Sequence, residues 1–308
     1  KEDLNSALSK SKLAPAEQKE IKEKAKIAVE AIVSYADWLK ALKNPTPRSF
    51  RLRKELYDAK FDLEIQSSYS ADSVYAKAVA HKKDLHLKMF RLADTLWTKY
   101  MKKEPKPSDK LQLIKRVIDK ISLQHTTPKK FQSEIEKQIP ELAAYVKEKD
   151  LLYIDPSKPL VVRKEPAYMA GVAGASISAP GPYDKNANTY YNVGSLNGWT
   201  AERAESYLRE YNDYVLQILN IHEAIPGHYT QLVYSNQSPS IIKAIFGNGA
   251  MIEGWAVYAE RMMLESGYKN SPEMWLMYYK WNLRTTCNMI LDYSVHSKNM
   301  SKEQAMSL

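Results

Sequence analysis

Apolar positions recur three and four residues apart through the first half of the chain, a spacing that predicts one helix after another across residues 14–149. Residues 14–43 are rich in helix formers, with apolar side chains at Ile21, Ala25, Val29, Ile32, Tyr35 and Leu39. Pro45 and Pro47 end that run, and 51–65 form the next helix. Ser70 caps a third that runs to about Met101, Pro105 and Pro107 interrupt again, and 110–123 follow. Thr127-Pro128 starts a fifth helix, with proline at the favoured first position. From Leu151 to about residue 199 the pattern changes. Proline and glycine become frequent, and short β-leaning runs occur at 151–154, 160–162, 174–178 and 189–193, with an Asn-rich hairpin tip at 184–188. Helix returns after Thr200. Tyr207, Leu208, Tyr211, Tyr214, Val215, Ile218 and Leu219 make one stripe, which His222 continues, so one long amphipathic helix ends with His222 and Glu223 on or beside its buried face. Residues 247–266 are apolar almost all round and predict a buried helix. The pattern gives a mainly α, multi-helical fold with a small β-sheet or hairpin insertion before the candidate metal-binding helix. By local character it has three parts, 1–150, 151–198 and 199–308, in one continuous domain.

Composition narrows this picture. The chain has 308 residues, 44% hydrophobic and 26% charged, with no run of 18 apolar residues to span a membrane. Its first residues, KEDLNSALSKSK, lack an apolar signal core. Ser301 to Gln304 read as a capping box opening a helix close to Leu308, from which the natural chain is expected to continue. The net charge is +9, but the lysines are interleaved with Glu and Asp, as on solvated helix faces. No nucleic-acid-binding signature and no glycine-rich phosphate loop is present, and no nucleic-acid partner is expected. Cys287 is the only cysteine, which excludes an intrachain disulfide and a cysteine-rich zinc site and fits either cytosol or periplasm.

The candidate chemistry starts at NIHEAIPGHYTQ, residues 220–231. Zinc-protease helices place two histidines four apart. His222 and His228 are six apart, about 120° around a regular helix, and cannot both reach one ion unless the helix is irregular. Pro226 removes an N–H, and Gly227 admits backbone angles closed to other residues. Either a bulge there returns His228 to the face of His222, or the helix stops and both histidines meet solvent. A glutamate third ligand belongs on a following helix, where Glu253 stands 25 residues past His228. Glu253 and Glu260 flank an apolar stripe of Ala256, Met263 and Leu264, and otherwise read as surface glutamates. Arg284, Asn288, Asp292 and His296, spaced four apart, form a polar stripe facing either water or an internal polar site. In the second case Asp292 orients His296, and Arg284 pairs with Glu260 or with a substrate carboxylate. His81, His86 and His125 read as surface residues.

HEAIPGH, the IEGWAVYAE of 252–260, the segment from Asp292 to His296 before SKEQA, and RLRKELYDAKFDLEIQSSYSADSVYAKA at 51–78 together resemble the bacterial domain-of-unknown-function family 885, DUF885. Its members carry HEAxPGH, EGWAxYxE and a late Asp-Thr-Gly-x-His segment. The resemblance implies a zincin-like, gluzincin-type metallopeptidase and the C-terminal portion of a longer protein. It implies one Zn2+ held by His222, His228 and Glu253, with Glu223 as general base. It also implies a cell-envelope or periplasmic location rather than cytoplasm, with membrane tethering through a lipid anchor on an N-terminal region outside this chain. The sequence departs from the family pattern at Tyr229, where many relatives have histidine, and at Tyr293-Ser294, which replace Thr-Gly.

The expected function is therefore peptide hydrolysis by a zinc-activated water, with a peptide as partner. His296 is the first candidate for the oxyanion donor, and Tyr293 or Tyr190 the second. The stretch 171–178 offers an edge strand to an extended substrate. The alternatives are a helical binding or scaffold protein with a structural or vestigial metal site, and a metallohydrolase of a non-peptide amide. Three evident ligands without a nearby cysteine favour catalysis over a structural zinc, which usually has four.

Overall fold

A computed structural model describes residues 2–166, 169, 174–184 and 187–308, the side chains of Glu2 and Asp3 excepted. The chain divides into two compact units at Phe50/Arg51. The first unit holds α1 (Glu2–Ser9) and α2 (Pro15–Ala41). Strong helix formers extend α2 over 27 residues, with Pro15 at its first turn, yet it buries no side chain, and Ile32, Tyr35 and Trp38 are each more than half exposed.

The second unit opens with α3 (Arg53–Ile65), α4 (Ala71–Met101), α5 (Lys110–Ile121) and α6 (Phe131–Glu148). Ser70 caps α4 by accepting from Ser73 N, as expected. The start of α6 differs from expectation: Pro128 lies in a turn, and the helix begins three residues later at Phe131, whose buried ring anchors it. Three strands follow, β1 (Leu160–Lys164), β2 (Ala175–Ser178) and β3 (Thr189–Val193), in the order β1-β3-β2. β1 runs parallel to β3 and β2 antiparallel to it. Residues 151–154, expected to be β, form no strand. Alternation along the strands gives the sheet two faces. Leu160, Val162, Tyr191, Val193, Ala175 and Ile177 join the core, while Arg163, Tyr190, Asn192, Ser176 and Ser178 occupy the other face. Within the hairpin tip at 184–188, residues 185 and 186 lie outside the described set.

The expected long helix up to His222 is two helices, α7 (Ala201–Glu210) and α8 (Asp213–Glu223). Tyr211 leaves helical geometry, and Asn212, fully buried, caps α8 by accepting from Tyr214 N and Val215 N. Polar Asn212 falls within an otherwise periodic stripe, which is why periodicity alone runs the two helices together. Every residue of α8 from Val215 to Ile221 is buried, which makes it the axis of the core. The remaining elements are α9 (His228–Asn236), α10 (Ile241–Ile245), α11 (Gly249–Glu265), α12 (Pro272–Ser297) and α13 (Lys302–Ser307), whose start is the capping box at Ser301. α11 is not apolar all round in its setting. Ala256, Ala259, Glu260 and Met263 are buried, whereas Met251 and Tyr258 are more than half exposed.

Candidate metal centre

Four residues separate α8 from α9, and they decide the site. The expected bulge within one helix is instead a break: α8 ends at Glu223, the Ile225–Pro226 peptide is cis, and α9 begins at His228. Gly227 is required by close approach. Its φ is −75°, but an added Cβ would lie 1.9 Å from the carbonyl oxygen of His222 and 2.3 Å from that of Ile221. The turn folds so tightly back on the end of α8 that only hydrogen fits there. The indole of Trp255 on α11 donates to Pro226 O at 2.9 Å and ties the turn to the third helix.

This fold brings the two imidazoles together, edge to face, with ring centroids 4.7 Å apart. Glu253 Oε2 lies 3.6 Å from His222 Nε2 and 3.7 Å from His228 Nε2, and the three ligand atoms fall within 4.8 Å of one another. Bonds of 2.0–2.2 Å in a tetrahedron separate ligands by about 3.4 Å, so the two contacts to Glu253 are near the edge lengths of a zinc tetrahedron. The donor set fits zinc: two imidazole nitrogens, one carboxylate oxygen and an open side, since the Glu253 side chain is 68% exposed.

Behind the triad stands Glu260, one of the few fully buried carboxylates. Its Oε1 accepts from His222 Nδ1 at 2.6 Å and from Trp281 Nε1 of α12 at 3.1 Å, while Oε2 is buried with no hydrogen-bond partner among the described residues. A proton held on Nδ1 leaves the Nε2 lone pair turned toward Glu253 and His228. His228 Nδ1 is buried and has no partner among the described residues, so the start of α9 sets that ring's orientation.

The electrostatics follow from burial. Glu223 is pushed up to about 7, chiefly by burial, with the charge of His222 lowering it and those of Glu253 and Glu260 raising it. Glu260 is also raised by burial against the opposing bonds from His222 and Trp281. Burial lowers His222, but its hydrogen bond to Glu260 and the surrounding carboxylates outweigh it, and the net shift is upward. His228 is lowered, by burial and by the charge of His222. Two buried carboxylates and the exposed Glu253 thus meet two imidazoles, an excess of acceptors that a dication offsets.

The model of the family described as "Bacterial protein of unknown function (DUF885)" matches residues 1–308. The chain belongs to the DUF885 family. Two solved structures place this DUF885 chain among its relatives. One, described as a "putative lipoprotein of unknown function" from Shewanella oneidensis, is 55% identical with a TM-score of 0.80, covering 100% of this chain and 56% of that one. The other, a "putative lipoprotein" from Colwellia psychrerythraea, is 18% identical with a TM-score of 0.77 over 99% of this chain and 52% of that one, and it supports the fold alone. The chain spans about half the length of these two structures. No curated protein matches it.

The remaining candidates from sequence are placed elsewhere. Trp281 is the residue of α12 that reaches Glu260, and Tyr293 and His296 lie about 18 and 22 Å further along that helix. Tyr293 is buried and its hydroxyl donates to Asp72, so it does not join the histidine pair as the expected oxyanion donor. His296 Nδ1 accepts from Leu52 N at 3.2 Å, and its ring stacks on Tyr57. Asp292 accepts from Tyr57 OH at 2.6 Å, with its other oxygen 3.9 Å from His296 Nε2, so the late Asp–His segment secures α12 against α3. Arg284 does not pair with Glu260. Its guanidinium stacks 4.7 Å over the ring of Trp281, the residue that does. Asn288 is exposed. Tyr190 lies under Arg163 on the sheet face opposite Tyr191. Of the proposed edge strand 171–178, residues 171–173 lie outside the described set, and 175–178 form the edge strand β2.

Sequence reasoning missed Trp281, Trp255 and Tyr191. Tyr191 is fully buried and donates to Asn220 Oδ1 at 2.8 Å, while Asn220 Nδ2 donates to Gln138 Oε1 at 2.6 Å. That buried chain fixes α8 one turn before its functional end. No local pattern marks these residues, because their partners are remote in sequence.

Proposed function

We infer that the protein is a zinc-dependent peptidase. The observation that carries this reading is the convergence of His222 Nε2, His228 Nε2 and Glu253 Oε2, backed by the bond that His222 donates to Glu260. His222, His228 and Glu253 would hold the ion. Zinc held there supplies Lewis acidity and lowers the pKa of water toward about 7. Glu260 keeps the proton of His222 on Nδ1, and Trp281 holds Glu260 in place. Glu223, next to a ligand at the end of α8, accepts the proton of the attacking water and delivers it to the leaving amine. The exposed side of Glu253 favours this open arrangement over a closed structural site. The relatives described as lipoproteins support a cell-envelope location with a lipid anchor as the tether. The test is zinc content and peptide hydrolysis of Glu223→Gln. The variant retains zinc at wild-type stoichiometry and loses hydrolysis. Full activity in this variant excludes Glu223 as the base.

A further inference from the structure

The seam between α6 and α8 opens into a pocket of about 420 Å3, within the range of ligand sites. It lies on another face of α8 from the metal triad, since Gln217 in its lining stands about 140° round the helix from His222. Every described residue that lines it is polar or charged. Two of them, Gln138 and Gln217, are more than nine-tenths buried. The core takes up their carboxamide oxygens: Gln138 Oε1 accepts from Asn220 Nδ2 at 2.6 Å, and Gln217 Oε1 from Tyr268 OH at 2.8 Å. Neither Nε2 has a hydrogen-bond partner among the described residues, and neither is sealed from solvent, so each amide turns its N–H groups toward the pocket.

The charged groups of the lining fall into two sets. Lys269 pairs with Glu141 at 3.3 Å, and His125 lies 3.3 Å from Glu205. Lys130, Lys137, Glu134 and Asp213 make no side-chain hydrogen bond or ion pair among the described residues. Glu134 stands four residues before Gln138 on α6, and Asp213 four before Gln217 on α8, each about 6 Å along its helix. Burial raises Asp213, and the charge of Glu134 across the seam raises it further, against the charge of His125. The pocket thus has two levels about 6 Å apart: a pair of carboxylates, then a pair of amide donors with Lys137 beside them.

We propose that this pocket binds a dipeptide with free termini, its ammonium between Glu134 and Asp213 and its carboxylate on Lys137 and the amides of Gln138 and Gln217. Two residues of extended chain span about 7 Å, close to the separation of the levels. The ammonium offsets the repulsion between the two carboxylates, and the carboxylate gives the buried amides a charge-assisted acceptor. An inorganic anion would be repelled by Glu134 and Asp213, and a lone cation would leave the amides unmet. The proposal stands without the peptidase reading, because none of the metal ligands lines the pocket.

The test is titration calorimetry on protein kept metal-free with chelator, so that no probe meets a metal and none is hydrolysed by it. The probes are Ala-Ala, acetyl-Ala-Ala, which lacks the ammonium, and Ala-Ala-amide, which lacks the carboxylate. Ala-Ala is expected to bind saturably, and each blocked form at least about tenfold more weakly, having lost one charged contact. Glu134→Gln, Lys137→Ala and Gln217→Leu are each expected to weaken Ala-Ala by about three- to tenfold. Glu134→Gln and Lys137→Ala cut no side-chain bond within the protein, so they decide the matter even where Gln217→Leu fails to fold. Equal binding of acetyl-Ala-Ala makes this a site for anions, and equal binding of Ala-Ala-amide a site for cations; either overturns the proposal. So does the absence of saturable binding of Ala-Ala up to about 10 mM, or an affinity untouched by Glu134→Gln and Lys137→Ala.

Discussion

At the scale of single residues, the site depends on two carboxylates with opposite settings. Glu260 is buried and bonded to His222, so its work is to aim an imidazole. Glu260→Gln keeps an acceptor but removes the charge, and zinc affinity is expected to fall about 10–100-fold, measured by competition with a chromophoric chelator. Unchanged affinity would mean that Glu260 does not tune the ligand. Glu223 is raised to about 7 from an ordinary value of 4.5, so the metal-free folded state binds its proton more tightly than the unfolded chain does. Stability from that proton is present below about pH 4.5 and is lost as pH rises through about 7. Glu223→Gln removes this dependence. Metal-free variant and wild type should be equally stable near pH 4.5, with the variant more stable by about 3 kcal/mol at pH 8, read by urea denaturation in chelator.

At the scale of elements, the six-residue spacing of the histidines works because one helix becomes two. The turn between α8 and α9 closes only with glycine at 227, where a Cβ would overlap two carbonyl oxygens. Gly227→Ala is expected to force the turn open, costing about 1–3 kcal/mol in a urea melt and weakening zinc binding together with it. Wild-type stability and zinc affinity would show that the turn tolerates a side chain. The approach of His222, His228 and Glu253 to one another was legible in sequence because Pro226 and Gly227 force the geometry between the two histidines. The helices α2 to α5 and the strands β1, β2 and β3 were legible from apolar spacing and prolines. The break at Asn212 was not, because a buried polar cap looks like one irregular position in a good stripe. The packing of the late polar stripe stayed open for a related reason. Periodicity shows that Asp292 and His296 share a face but not which helix meets it, and the partner is Tyr57, remote in sequence. Trp281 and Tyr191 are invisible for the same reason.

At the scale of the molecule, a membership in DUF885 and a mainly helical fold are joined to one His/His/Glu convergence, and all of its residues lie in the unit 51–308. α8 is the core's most buried helix, and it delivers His222 and Glu223 to the place where α11 presents Glu253. Burial of one helix thus sets the accuracy of the whole site, while the exposed side chain of Glu253 leaves it open to solvent. The central claim is that this convergence binds zinc, and the most direct measurement is an anomalous-difference map at the zinc edge from crystals of the zinc-loaded protein. The account predicts one strong peak at about 2.0–2.2 Å from His222 Nε2, His228 Nε2 and a Glu253 oxygen. A map without a peak between these three atoms, or with zinc bound only by other side chains, would contradict it.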